Sequence, residues 1–212
     1  MDLKWIINIK KYCNSLNNSK IFIHNMNPEF FPTSKKKAAV LVPICYKHGQ
    51  ASILFNLRSN EVSTHKGQVS FPGGHLNEGE SGKDAAVRET YEECGDNIGD
   101  IEIIGECQSI PSITGTLVTP IIGIIEKDVK DFEHLNPNKK EVERVFCRSL
   151  EELTNPNYRE YYNVKRAGNE IVIPCFGPDN DERIWGLTAI ILNAVLDKVI
   201  IPNKPKLENP HF

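Results

Sequence analysis

The chain contains no unbroken apolar run approaching the roughly 20 residues that a membrane-crossing helix needs. That argues against helical membrane spans. It also has no excess of positive charge: 25 lysines and arginines face 28 aspartates and glutamates, a net charge of -3. A general nucleic-acid binder or a polybasic membrane-surface protein needs the opposite balance. There is no Cys-x-x-Cys pair, and the six cysteines are scattered at 13, 45, 94, 107, 147 and 175. Cys45, Cys107, Cys147 and Cys175 lie in or beside apolar, strand-like runs. That is the pattern of buried reduced thiols, rather than of a zinc site or a disulfide framework, and it fits a reducing compartment. Internal repeats and low-complexity linkers are also missing.

What remains is an ordinary globular composition, 40% hydrophobic and 25% charged over 212 residues. That length accommodates one well-buried domain with terminal additions. Residues 1–34 read as an N-terminal helical extension or a presequence. Leu3, Ile6, Ile7, Cys13 and Leu16 form one helical stripe, and Lys4, Lys10, Lys11 and Lys20 outnumber Asp2. A mitochondrial presequence is amphipathic and poor in acids in this way, but it is usually rich in arginine, which is lacking here. A helix packed on the domain fits the same residues. The expected compartment is mitochondrial, with a cytoplasmic location as the alternative. The last residues, Pro-His-Phe, are not the peroxisomal tripeptide. Residues 201–212 read as a loose tail.

Between these ends, residues 35–200 alternate strand and helix signals. Ala38 to Cys45 is a continuous apolar run typical of a buried strand, Lys47 to Gln50 a tight turn, and Ala51 to Leu57 the partner strand. Arg58 to Val69 is polar and irregular, and Phe71-Pro72-Gly73-Gly74 breaks regular structure. A helix is predicted over Gly82 to Cys94. Further strands are predicted over Ile101 to Cys107, Leu117 to Ile125, Val142 to Phe146 and Ile171 to Phe176. A second helix spans Arg183 to Ile200, with Ile184, Leu187, Ile191, Val195 and Val199 as its buried stripe. The class is α+β, a mixed sheet sandwiched between helices.

The chemistry concentrates in Gly74 to Gly95, G-H-L-N-E-G-E-S-G-K-D-A-A-V-R-E-T-Y-E-E-C-G. At about 100° per residue, Glu89, Glu92 and Glu93 project within about one quadrant of the helix. Gathering carboxylates this closely is repulsive unless a divalent cation sits among them. Ala85 and Ala86 share that side and leave room for an ion and a phosphate; Val87, Tyr91 and Cys94 point the opposite way, toward the sheet. Arg88 sits four residues before Glu92, the spacing of an ion pair. Glu80 suits the positive end of the helix dipole and can also reach Arg88. Gly73 and Gly74 permit close backbone approach, offering a carbonyl ligand or a phosphate seat. The competing reading is a solvated acidic helix face.

These residues resemble the Nudix box, G-x5-E-x7-R-E-U-x-E-E-x-G-U, in which U is a bulky apolar residue. Gly74, Glu80, Arg88, Glu89, Glu92, Glu93 and Gly95 match it; Thr90 and Asp96 depart at the two U positions. The resemblance implies a Nudix fold and magnesium- or manganese-dependent hydrolysis of a diphosphate. It also implies Glu89 and Glu93 as principal metal ligands, assisted by Glu92 and the Gly74 carbonyl. Glu89 is the first choice of base. Glu141, in Asn138-Lys139-Lys140-Glu141-Val142, is a second possibility, or else an exposed loop acid. Arg88 joins the catalytic set, and Glu80 and Gly95 support the box structurally.

Residues upstream resemble the coenzyme A diphosphatase branch of the family, and its mitochondrial subgroup in particular. Leu54 to Ser59 matches its L-L-x-x-R-S, and His65-Lys66-Gly67 followed by Phe71-Pro72-Gly73-Gly74 matches its H-K-G-x-V-S-F-P-G-G. Val118-Thr119-Pro120 and Arg183 to Ala189 continue the likeness. Ser63 stands where a basic residue is common. The implied substrate is a small molecule, coenzyme A or its thioesters, rather than nucleic acid, and the pattern specifies no oligomeric state. Arg58, Ser59, His65, Lys66, Gly73 and Gly74 are the expected substrate contacts, the cations serving the 3'-phosphate. Trp185 is expected as a core anchor. The rival readings are another Nudix specificity (ADP-ribose, NADH, a dinucleoside polyphosphate, an oxidised nucleotide) and a catalytically dead scaffold.

Overall fold

The computed structural model describes residues 2–17, 19–22, 35–62, 65–129, 133–166, 169–180 and 182–205. In chain order the elements begin with helix α1 (Asp2–Ser15), strands β1 (Lys37–Lys47), β2 (Gln50–Arg58), β3 (Val69–Ser70) and β4 (Gly73–His75), and helix α2 (Gly82–Cys94). Strands β5 (Ile101–Glu106), β6 (Ile110–Pro111), β7 (Leu117–Asp128) and β8 (Val142–Ser149) follow. The short helix α3 (Leu150–Leu153), strands β9 (Arg159–Arg166) and β10 (Asn169–Phe176), and helix α4 (Gly186–Val195) complete the order. Ser63, and the part of the predicted tail from residue 206 onward, lie outside the described residues.

Strand β1 is buried along most of its length because it is interior to the main sheet, whose path runs β3-β2-β1-β7-β5. It runs parallel to β7, with Ala39 opposite Thr119 and Leu41 opposite Ile121, and antiparallel to β2. A strand covered on both faces reads as a continuous apolar run. The two faces bury different sets of side chains. On one, Trp5 and Ile9 of α1 and Ile191 and Val195 of α4 meet Ile44, Phe55 and Ile122. On the other, Ala85 and Ala86 of α2 meet Ala39, Leu41 and Ile121, and Cys94 meets Cys45 and Cys147. The sheet therefore lies between α1 with α4 and the acidic helix α2. All six cysteines are buried and free.

Several elements differ from expectation. Phe71-Pro72-Gly73-Gly74 does not simply break structure: Gly73–His75 forms β4, pairing antiparallel with Ala38 to Val40 of β1. The α1 stripe is rotated. Trp5, Ile6, Ile9 and Cys13 are buried while Leu3 is 64% exposed and Ile7 is exposed too. The phase is set by Trp5, whose Nε1 donates to the Ile200 carbonyl at 3.0 Å. Ile184 precedes α4 rather than belonging to it, exchanging backbone hydrogen bonds with Phe176. Trp185 is 45% exposed and is no core anchor. The stretch Gly186–Asn203 is, by length and composition, apolar enough to cross a membrane, which does not establish a span. Here its Ile191, Leu192, Val195, Leu196, Val199 and Ile200 are packed in the core. Strand β9 was not foreseen; it pairs only with β10, and exposed Tyr161 and Tyr162 erase the usual alternation.

Candidate active site

Helix α2 is capped by Ser81, whose Oγ accepts from the Asp84 N–H. Its sheet side is formed by small residues: Ala85 and Ala86 are fully buried, so they bring the helix close to the sheet rather than leaving room for an ion and a phosphate. Thr90, at a position where the box has a bulky apolar residue, is buried, and its hydroxyl donates to the Ala86 carbonyl at 2.6 Å. Gly95 ends the helix at φ +91, where a Cβ would come within 1.8 Å of the Leu135 carbonyl oxygen.

Glu93 projects from α2 into the interface with β2 and β4 and is only 2% exposed. One carboxylate oxygen, Oε2, accepts from Asn56 Nδ2 at 2.8 Å and from the Gly73 N–H at 3.2 Å. The other, Oε1, faces Arg58 Nη1 at 3.8 Å. Burial pushes the Glu93 carboxyl up to about 8, against the pull of the Gly73 hydrogen bond and the Arg58 charge; Glu89 and Glu141 add repulsion. Glu89 lies one turn earlier against β4. A Cβ on Gly74 would fall 2.3 Å from Glu89 Oε1, so only glycine lets the carboxylate lie against this backbone. Burial also raises Glu89, opposed by Arg88 and reinforced by Glu92 and Glu141.

Arg88 organises the acids that do not enter this interface. Its Nε and Nη2 grip Glu80 at 2.7 and 3.0 Å, Nη1 reaches Glu89 at 2.9 Å and Glu92 at 3.0 Å, and Nη2 also donates to the His75 carbonyl. The paired guanidinium lowers Glu80 to about 2, and the Asn77 N–H contributes to the same shift. Glu92 is 56% exposed on the flank of α2, where it shares Arg88 Nη1 with Glu89, outside the buried contact that holds Glu93.

The expected substrate contacts separate in the same way. Arg58 faces Glu93, and its Nε is buried with no hydrogen-bond acceptor among the described residues. Ser59 is buried, its hydroxyl accepting from the Glu61 N–H within the loop, so it does not line the site. His65 and Lys66 are exposed on the turn between β2 and β3, and His65 Nδ1 pairs with Gln68. Among the described residues neither forms an ion pair with the α2 carboxylates. Glu141 is brought in from a distant loop: the Asn138 N–H donates to the Glu93 carbonyl, Asn138 Nδ2 to Glu141 Oε1, and the Ser59 N–H to the Glu141 carbonyl. Asn56 is the positioning residue that sequence reasoning passed over. Its only signal is an amide inside the apolar run Ile53-Leu54-Phe55-Asn56-Leu57.

Residues 35–167 match the family model of the NUDIX domain. The chain belongs to the Nudix hydrolase family. It is 34% identical to the mitochondrial coenzyme A diphosphatase of Mus musculus over 82% of this chain and 84% of that protein. It is 32% identical to Nudix hydrolase 3 of Caenorhabditis elegans over 74% of this chain and 71% of that protein. A solved MutT/nudix family protein from Enterococcus faecalis aligns at 17% identity and a TM-score of 0.48, covering 88% of this chain and 69% of that one.

Nudix hydrolases generally use divalent metal ions, and the donors here suit one. Glu89 and Glu93 offer hard carboxylate oxygens, and desolvation disfavours the charged form of both, a cost that a bound cation would offset. Among the described residues no three His, Cys, Asp or Glu side chains converge into a closed cage.

Proposed function

We propose that this Nudix hydrolase cleaves the diphosphate bond of coenzyme A and its thioesters, giving 3',5'-ADP and 4'-phosphopantetheine or its acyl form, with Mg²⁺ or Mn²⁺. The observation that carries the catalytic part is the placement of the buried Glu93 and the half-buried Glu89 together against Gly73 and Gly74. The substrate rests on the 34% identity to proteins named coenzyme A diphosphatase in mouse and human. Those names also carry the mitochondrial location proposed here.

Glu89 and Glu93, with the Gly74 carbonyl, would hold the ion. When bound, it offsets the charge of the diphosphate, orients it and makes the attacking water more acidic. The chain's own groups do the rest. Asn56 and the Gly73 N–H fix the Glu93 carboxylate. The orphan Nε–H of Arg58 supplies a buried donor for a phosphate oxygen. Glu89, raised toward neutrality by burial, accepts the proton of the attacking water. Glu141, whose charge is felt at both carboxylates, is the second candidate for that role. Water adds at phosphorus, the bridging P–O bond breaks, and the leaving phosphate carries off the electron pair.

The test is incubation of the pure protein and Mg²⁺ or Mn²⁺ with coenzyme A, ADP-ribose, NADH and a dinucleoside polyphosphate, with products identified by mass. The expected outcome is the highest kcat/KM on coenzyme A, with 3',5'-ADP as a product. Faster turnover of any other member of the panel contradicts the substrate assignment.

A further inference from the structure

A cleft of about 640 Å³ opens beside the carboxylate site, lined by Lys35, Lys36, Lys37, His75, Asn77 and Glu80 among others. Its size is that of a small-molecule site. Backbone hydrogen bonds tie Lys36 and Lys37 to the sheet. The Leu117 N–H donates to the Lys36 carbonyl and the Leu76 N–H to the Lys37 carbonyl, each at 3.1 Å. The Lys35 and Lys37 side chains are exposed and form no ion pair among the described residues. Glu80 is an acid on the wall, and its charge is matched by the two-pronged grip of Arg88. The cleft therefore has a net positive lining.

Its position gives that charge a use. His75 follows Gly74 in β4, one strand residue or about 3.3 Å along from the backbone against which Glu89 lies. Arg88 bridges the two regions, bonding Glu89 on one side and the His75 carbonyl and Glu80 on the other. Gly74 pairs with Ala39 of β1, and Lys37 lies two strand residues, ~6.6 Å, along that strand toward the cleft. Arg58 is turned to Glu93 and is not directed at a second phosphate.

We propose that this cleft takes a phosphomonoester borne by the nucleoside of the substrate, with Lys35 and Lys37 as its recognising cations. The assignment deepens the coenzyme A reading and rests on it for the identity of the phosphate. Two ammonium groups on an ordered backbone suit a dianionic phosphate, and Lys binds it as a point charge without demanding one orientation.

Calorimetry on the full chain, with 3',5'-ADP, 5'-AMP and inorganic phosphate as probes, tests this independently of turnover. The wild type should bind 3',5'-ADP at least ~10-fold more tightly than 5'-AMP or phosphate. In the Lys35→Ala/Lys37→Ala protein, with an unchanged melting temperature, the preference should fall to ~3-fold or less. The His65→Ala/Lys66→Ala protein should keep it. Equal binding of all three probes by the wild type, or a preference untouched in the lysine variant, overturns the proposal. A preference lost only in the His65/Lys66 variant also overturns it, by moving the phosphate to the β2–β3 turn. Coenzyme A turnover is read separately. A retained lysine-dependent preference without that turnover sinks the substrate reading and leaves the cleft standing.

Discussion

Glu93 is held in its buried position by neutral donors: Asn56 and the Gly73 N–H share one of its oxygens. In the metal-free protein this has a consequence for stability. The folded-state value of about 8 exceeds the ordinary 4.5, so between them the folded chain keeps a proton that the unfolded chain releases. Stability present below about 4.5 is therefore lost as pH rises toward about 8. Glu80, lowered to about 2, acts in the opposite sense and below that window. Melting of metal-free protein should show a temperature that declines across this range, and Glu93→Gln should flatten the decline; an equal decline in the variant would assign it elsewhere. Asn56→Ala should weaken divalent-ion affinity ~10- to 100-fold, as loss of a ligand-orienting partner does, with little effect on far-UV circular dichroism. The Glu89–Glu93 spacing was legible in the sequence because it is local to one helix. Asn56 was not, because its value depends on an α2 contact 37 residues away.

Helix α2 and strand β4 act as one unit. The alanine face lets the helix sit down on β1, Gly73 lets β4 approach Ala39 and Val40 of that strand, and Gly74 lets the Glu89 carboxylate lie against the β4 backbone. Gly74→Ala should therefore displace Glu89 and lower kcat ~10-fold or more, while the chain stays folded, since the new methyl would meet the end of the Glu89 side chain rather than packed backbone. A Gly74→Ala enzyme with full activity would show that Glu89 need not occupy this position. The box gave away the helix, its caps and the Arg88 ion pairs, all of which depend on residues within one or two turns of each other. It hid the difference in burial between Glu93 and Glu92. Helical phase alone groups the three acids, whereas Arg88 and the neighbouring strands decide which of them turns inward.

The molecule buries α1 and α4 on the sheet face opposite the site. The amphipathic N-terminal segment was recognisable as a helix, but its phase was not, because the indole of Trp5 is anchored by a carbonyl 195 residues away. Trp5→Ala should cost ~3–5 kcal/mol, measured by chemical denaturation; a loss below ~1 kcal/mol would mean that α1 does not contribute to the core. In the same way the strands of the sheet were legible where both faces are covered, and β9 was missed where they are not. The whole arrangement positions one helix so that its inward acids meet the β4 glycines. Its most direct test is a titration of Mn²⁺ followed by electron paramagnetic resonance, comparing wild type with Glu89→Gln/Glu93→Gln. Saturable binding by the wild type that weakens ~100-fold or more in the double variant is the predicted result. Undiminished binding by the variant would contradict the account.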